Sequence, residues 1–416
     1  MAVMKEKAEE GDEIHTGLKR SLSLPMVVFY GVGNILGAGI YVLIGKVAGV
    51  AGYFAPLGFL LSALIAIPTA FTYAEWVSRS PRSAGEAIYV FEAFGLRSLS
   101  TLVGLLILFA GIVSSSALVR GFLGYLEVLM PVNEMFTIVL LVIVLGIIAI
   151  WGISQSVRIV SVVTILEILG LLIVIITGMQ QSFSAPINPA PLASSPPLNW
   201  AGVWFGAFLA FYAFLGFEDM VNIAEEVNRP RLNLPRAIII ALVIATSLYI
   251  GVAVAVQQVF TPEELAASEA PMSAIVARAT GGSGSTIAVI SMLAVLNGAL
   301  AQMIMSSRVL FGMGRRGWLP VFFSQVWPVT RTPIPATFVT MIGVILFASL
   351  LPVQSLAAIT SFLILIVFAL INLSLIRVKL RAEQKTIPFQ IPVWVPIIGV
   401  LTTLGLASFS LVQYVG

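Results

Sequence analysis

Apolar runs of about twenty residues, each with few charges, recur along the whole of this 416-residue chain. A helix of about 20 residues crosses the roughly 30 Å hydrocarbon core of a bilayer, and a soluble globule has no place to bury so many. Taken as spanning helices, the runs cover residues 25–50, 53–78, 98–126, 135–152, 157–179, 200–224, 236–260, 284–312, 334–351, 355–376 and 395–415. The remaining composition agrees, with 59% of residues hydrophobic and 10% charged, where soluble domains carry about 25% charged residues. The expected fold class is an all-α polytopic membrane protein of about 11 transmembrane helices.

The charges report orientation. Of 22 Lys and Arg residues, only Lys46, Arg120 and Arg278 fall outside if the N-terminus is cytoplasmic, which leaves 19 on the inner side. An asymmetry of that size fixes both the orientation and the parity of the span count. The net charge of +3 is therefore a topology signal, and the expected partner is the lipid bilayer rather than a nucleic acid. Residues 1–23 form a cytoplasmic tail whose acids, Glu6, Glu9, Glu10, Asp12 and Glu13, are unlike the flank of a cleaved signal peptide. Residues 24–416 then form one integral domain of a cell (plasma) membrane, and eleven spans place the C-terminus outside. Of the outer loops, 181–199 is an uncharged, proline-rich connector, and 261–279 reads as short surface helices behind a Thr cap. No signal sets an oligomeric state.

With no cysteine and a single histidine, His15 in the tail, the chain lacks the material for thiolate catalysis, disulfides, histidine metal sites or Ser-His triads. Neither an enzyme nor a bound cofactor is expected. Two near-motifs also fail: Gly31-x-Gly33 has Leu36 where a dinucleotide fingerprint needs glycine, and Gly45-Lys46 is followed by Val47 rather than Ser or Thr.

Chemistry is concentrated in three places. The first span, GVGNILGAGIYVLIGKVAG, crowds Gly31, Gly33, Gly37, Gly39 and Gly45 into one helix. Each interior glycine costs about 1 kcal/mol relative to alanine, so a break is expected near Gly37-Ala38-Gly39; close packing through small residues is the other use of such spacing. Unwound backbone at membrane depth persists only where it is buried in protein or lines a cavity. The sixth span carries adjacent acids, Glu218 and Asp219, just after Phe214-Leu215-Gly216. An interruption there would let the acids face a polar interior and accept from freed backbone N–H groups, while the alternative places them at the cytoplasmic helix end. Breaks five helices apart fit an inverted repeat of five plus five spans, in which half-helix N-termini meet an anionic group and freed carbonyls a cation at the midplane. A zwitterionic amino acid has both groups. Repeat one covers about 25–179, repeat two about 200–377, and 395–415 is an extra helix. Third, Glu167 stands alone in the fifth span, as a proton carrier, a Na+ ligand or a structural carboxyl. Of the 19 acids, only Glu167, Glu218 and Asp219 are expected to reach the membrane interior.

Four stretches in order, GAGIYVLIGKVAG, YAEWVSRSPRSAGEAIYVFEAFG, FYAFLGFEDMVNIAEEVNRPRLNLPRAI and SRVLFGMGRRGWLPVFFSQVWPVTRTPIPA, resemble the amino acid-polyamine-organocation (APC) superfamily, most closely its cationic amino acid transporter-like branch. The resemblance covers nearly all of residues 20–400. It implies a LeuT-type inverted repeat with discontinuous first and sixth helices, and secondary amino acid transport by alternating access. It also implies substrate contacts. Gly37, Ala38 and Gly39 match the carboxylate-binding turn, with the Ile35 carbonyl alongside; Tyr212 and Leu215, flanked by Phe214 and Gly216, match carbonyls facing the substrate amine. Tyr212 matches the aromatic gate, and Glu218 the acid after the break. Glu167 stands where many relatives carry a lysine that substitutes for sodium, so that mechanism does not transfer, and H+ or Na+ remains the possible coupling ion. Proton-coupled symport or exchange of amino acids is the expected activity, with amine or polyamine exchange the alternative. An ion channel would need repeated filter sequences and a continuous polar pore, which the isolated breaks do not supply.

Overall fold

The computed structural model describes residues 22–81, 85–151, 157–184, 198–327, 332–381 and 387–415. The N-terminal tail with His15 and most of the 181–199 connector lie outside them. The first span is two helices in line, α1 (Leu24–Ala38) and α2 (Ile40–Ala51). The chain then turns back through α3 (Ala55–Arg79), and α4 (Gly85–Phe94) leads into α5 (Arg97–Glu127), α6 (Glu134–Trp151) and α7 (Val157–Ser184). The sixth span is α8 (Trp200–Phe211), a 3-10 turn (Tyr212–Phe214) and a 3-10 helix (Glu218–Glu226). After it come α9 (Pro230–Val256), the short α10 (Pro262–Ala267) and α11 (Pro271–Thr280), then α12 (Ser285–Arg315), α13 (Ile334–Leu350), α14 (Val353–Leu380) and α15 (Trp394–Val415).

Local chemistry sets the ends. Pro25 and Pro230 sit in first turns, where the missing N–H has no partner to lose. The Asn199 side chain accepts from Gly202 N at 3.2 Å to cap α8, and Thr261 with Glu264 closes a capping box on α10. Among the described residues nine apolar helical stretches are long enough to cross a membrane, one of which, Ile40–Arg79, joins α2 to α3 through the turn between them. With the shorter Leu24–Gly37 and Ile334–Leu350 they make up the eleven expected spans. Two details differ from expectation. The seventh span begins at Pro230, not 236, because Arg231 and Arg236 extend the helix past its apolar window; and α4 is a ten-residue helix too short for such a window to detect.

The outer face is apolar, with Phe136 66% and Leu401 66% exposed, as lipid-facing positions require. Inside, lipid tails are as apolar as leucine, so helices associate by close packing rather than by escape from water. α1 approaches α12 backbone to backbone: a Cβ on Gly298 would stand 2.8 Å from the Gly37 carbonyl oxygen. The start of α1 is tied to the end of the sixth span by a parallel bridge, in which Leu22 N donates to Glu226 O at 3.1 Å and Asn228 N to Leu22 O at 2.9 Å.

Candidate functional site: two interlocked helix breaks above an acidic cavity

The first break is one residue long. α1 ends at Ala38 and α2 restarts at Ile40, with Gly39 at φ −141° and ψ −40° between them. Gly39 O accepts from Leu43 N at 2.8 Å and so begins the second helix. The crowded glycines divide their work: Gly31, Gly33 and Gly37 abut Met220, Thr164 and Gly298, respectively, while Gly39 carries the interruption. The second break is longer. After the 3-10 turn, Leu215 is extended (φ −66°, ψ 146°) and Gly216 has φ +120°, a conformation that side chains resist. The expected interruption at Phe214-Leu215-Gly216 is where the helix breaks.

These two breaks lock into each other. A Cβ on Gly39 would fall 2.3 Å from Ala213 Cα, and one on Gly216 would fall 2.6 Å from the carbonyl carbon and oxygen of Asn34. Each glycine thus admits the other helix's backbone. Tyr249 of α9 bridges the seam: its hydroxyl lies 2.7 Å from Ile35 O and 2.8 Å from Ala213 O. One hydroxyl has one proton, so it donates to one carbonyl at a time. The Ile35 carbonyl that the resemblance assigned to substrate therefore already has a partner, with a second lone pair to spare. Sequence reasoning missed Tyr249; its only signal was a phenol in an apolar span, where a buried O–H has to find an acceptor.

Tyr212 is fully buried and latched to α5, its hydroxyl 3.0 Å from Ser114 Oγ and 3.1 Å from Ser114 O. Phe214 packs edge-on to Tyr249, with ring centroids 5.1 Å apart. Below the breaks lies a cavity of about 10 Å3, roughly one water-sized sphere. Among the described side chains of the expected substrate contacts, Leu215 alone lines it, together with Ser114, Glu218 and Asp219. Ile35, Gly37, Gly39, Tyr212, Phe214 and Gly216 stand around the seam rather than on the cavity wall.

The acids fall into two groups. Glu218 Oε2 accepts from Gly216 N at 2.8 Å, using the freed backbone donor as anticipated. Asp219 Oδ2 accepts from Gln302 Nε2 of α12 at 3.0 Å. A third carboxyl, Glu86 of α4, shares this cavity and accepts from the Tyr73 hydroxyl at 3.2 Å. Burial pushes the Glu86 carboxyl up to about 7. Among the described residues no lysine or arginine lines the cavity. Glu167 is elsewhere, on α7 behind the breaks: among the described residues neither of its oxygens meets a donor at hydrogen-bond geometry, though the Asn297 amide of α12 is its neighbour. Its own backbone carbonyl accepts from Tyr41 OH of α2 at 2.7 Å, and Thr164, one turn away, donates to Phe29 O of α1 at 3.2 Å. Besides the three acids expected at membrane depth, Glu75 and Glu86 are buried within the protein. Glu75, in the last turns of the second span, is neutralised by Arg79 at 2.6 Å and Lys379 at 2.7 Å, while Glu86 lies on α4, outside the spans. Among the described residues no group of His, Cys, Asp and Glu could hold a metal ion.

At the opposite end of the bundle the seam is covered. α10 lies on α2, where Lys46 Nζ donates to Ala266 O at 3.0 Å and to Glu269 Oε1 at 2.9 Å. A Cβ on Gly45 would fall 2.3 Å from Leu265 O. The site is thus capped on one side and opens only to a water-sized void on the other.

An eleven-span helical bundle whose first and sixth spans break against each other is a polytopic membrane protein of the LeuT-type architecture. A family profile described as Amino acid permease matches residues 22–415, and the chain belongs to that family, within the APC superfamily. It is 30% identical over 413 residues to the branched-chain amino acid permease BcaP of Bacillus subtilis, covering 93% of this chain and 86% of that one. It is 28% identical over 405 residues to a methylthioribose transporter of the same organism, covering 92% and 86%. Against human cationic amino acid transporter 4 it is 28% identical over 400 residues, covering 91% of this chain and 62% of the relative. The relatives are transporters and permeases, which supports a non-enzymatic role in amino acid transport.

Proposed function

We propose that the protein is a secondary amino acid transporter of the cell membrane, working by alternating access between two inverted repeats, 25–179 and 200–377, with the α4 end of the bundle cytoplasmic. The observation that carries this reading is the interlocked pair of breaks over a closed, carboxylate-lined cavity. The first turn of α2 presents backbone N–H groups and a positive dipole end to a substrate carboxylate. The substrate ammonium takes the free lone pairs of the Ile35 and Tyr212 carbonyls, and Tyr212 closes over it from its Ser114 latch. The cavity is too small for an amino acid, so binding requires α5, α12 or α14 to move outward from Leu215. Reaching the site from the other side requires Lys46 to release Ala266 and Glu269.

The substrate side chain points to Ile107, Ala110, Met305, Ile364 and Val367, an apolar wall suited to a neutral amino acid. The 30% identity to a branched-chain amino acid permease supports the same choice. The acids of the lower wall, unmatched by any base, favour a second reading as a cationic amino acid or amine exchanger, in keeping with the relatives named as cationic amino acid transporters.

Coupling is assigned to Glu167, a buried carboxyl without a donor beside the broken first span, which takes up or loses a proton as α1 moves. The test is uptake of a labelled amino acid panel by proteoliposomes under separate H+ and Na+ gradients. A Glu167→Gln variant should keep counterflow within about threefold of wild type and lose H+-driven accumulation. Full accumulation by the variant would remove Glu167 from the mechanism, and no movement of any amino acid or amine by the wild type would overturn the transporter reading.

A further inference from the structure

The α4 end of the bundle carries a feature that transport does not use. Arg315 and Arg316 close α12, and both are exposed. The α4–α5 turn brings a third guanidinium to them, because Arg97 Nη2 donates to the Gly317 carbonyl, one peptide beyond Arg316. None of the three has a carboxylate at ion-pair distance among the described residues. On α4, Glu92 is engaged by Ser80, whose hydroxyl donates to its Oε1 at 3.1 Å. Arg316 also lies over the Trp318 ring, 5.4 Å from its centroid, and Trp318 in turn contacts Phe91 of α4 at 6.1 Å. Partial burial without a counter-anion lowers the Arg316 guanidinium from its usual range.

On the same stretches of chain the protein exposes large apolar side chains: Leu96 at 55%, next to Arg97, and Val321 at 72% and Phe322 at 54%, in the short 3-10 turn that follows Arg316. Either half alone has a bland explanation, a solvated basic end or a lipid-facing stretch. Together, at the level where the spanning helices α5 and α12 terminate, they present cations to the headgroup layer and hydrocarbon to the layer beneath it. The ligand that satisfies both halves has a phosphodiester and an acyl chain. A free phosphate would leave the apolar half in water, and a soluble acidic peptide would have to displace the bilayer from it.

We propose that Arg97, Arg315 and Arg316, with Trp318, Val321 and Phe322, form a docking site for one anionic phospholipid of the leaflet at the α4 end. The phosphodiester bridges the guanidiniums, Trp318 backs Arg316, and the chain lies along Val321 and Phe322. Since this end is the one richest in arginine, it faces the leaflet where anionic lipids concentrate. A bound lipid here would stiffen the α4–α5 turn, which positions Glu86 at the cavity.

The test follows the purified full chain in neutral detergent by thermal melting and by native mass spectrometry. Short-chain phosphatidylglycerol is titrated against phosphatidylcholine of the same chain length and against inorganic phosphate. Wild type should be stabilised saturably by phosphatidylglycerol at concentrations at least tenfold below phosphatidylcholine and should retain one lipid; inorganic phosphate should do neither. Each arginine is worth roughly fivefold in binding, so Arg97→Gln with Arg315→Gln and Arg316→Gln should weaken phosphatidylglycerol about 100-fold and abolish the preference. If loss of the Arg97 contact to Gly317 compromises folding, the Arg315→Gln/Arg316→Gln pair alone should still cost about 25-fold. An Arg231→Gln/Arg236→Gln pair at the same end should leave the preference intact. The proposal is overturned if the arginine variants keep the preference, if the control pair loses it equally, or if inorganic phosphate alone reproduces the stabilisation.

Discussion

Replacing Gly216 with alanine tests whether the two breaks are a single interlocked structure. The new methyl group meets two obstacles. Its backbone φ of +120° lies where side chains are resisted, at about 1–2 kcal/mol for a left-handed residue. The added Cβ also falls 2.6 Å from the Asn34 carbonyl and 2.9 Å from Ile35 N, and overpacking against such a neighbour costs about 1–3 kcal/mol. Together these give about 2–5 kcal/mol against the locked arrangement, or roughly 30- to 4,000-fold in its population at 1.4 kcal/mol per decade. Substrate counterflow in proteoliposomes, with melting of the purified protein as the folding control, should therefore fall below a few per cent of wild type. Gly39→Ala isolates the steric part, because its φ of −141° is open to any residue while its Cβ would fall 2.3 Å from Ala213 Cα. The double variant should lose less than the sum of the singles, since both wedge open one seam. Gly405→Ala, with nothing within 4 Å of its Cβ, should be silent. Counterflow within twofold of wild type in Gly216→Ala, at unchanged melting temperature, would refute the interlock.

Tyr249→Phe removes the only proton shared by Ile35 O and Ala213 O, and a lost buried hydrogen bond costs about 0.5–1.5 kcal/mol; substrate KM should rise roughly three- to tenfold with Vmax nearly unchanged, read from initial uptake rates. Glu86 gives a pH dependence of known sign. Its carboxyl is raised in the folded protein from 4.5 to about 7, so the stability it contributes is complete below about pH 4.5 and lost as pH rises through 7, on the order of 3 kcal/mol in all. Melting temperature in detergent should fall over that window, and Glu86→Gln should flatten the slope; an unchanged slope in the variant would assign the titration to another group.

Legibility in the sequence followed the length scale of each signal. The eleven spans were readable because about twenty apolar residues are a statement about bilayer thickness, which neighbours cannot override. The second break was readable for a related reason: Gly216 followed by Glu218 and Asp219 breaks a propensity and a solvation rule within four residues. The first break was legible in kind but not in extent, since five glycines mark weak helix whether they unwind or pack, and only tertiary neighbours such as Gly298 and Ala213 separate the two uses. Glu86 and Tyr249 were not legible. Each joins the site from an element distant in sequence, and each belongs to a residue type whose meaning depends on what it faces.

The bridge between Leu22 and the end of the sixth span has a mechanical consequence. α1 is held to the sixth-span 3-10 helix twice, by the glycine seam at its top and by the Leu22 hydrogen bonds at its foot. Two attachment points remove the hinge between these segments, so neither can swing without dragging the other. Under the proposed alternating access, opening from the α4 end would be a one-axis motion of a paired strut, and a cross-link at the foot should leave the pair free to move while a cross-link from either member to α12 should stop both.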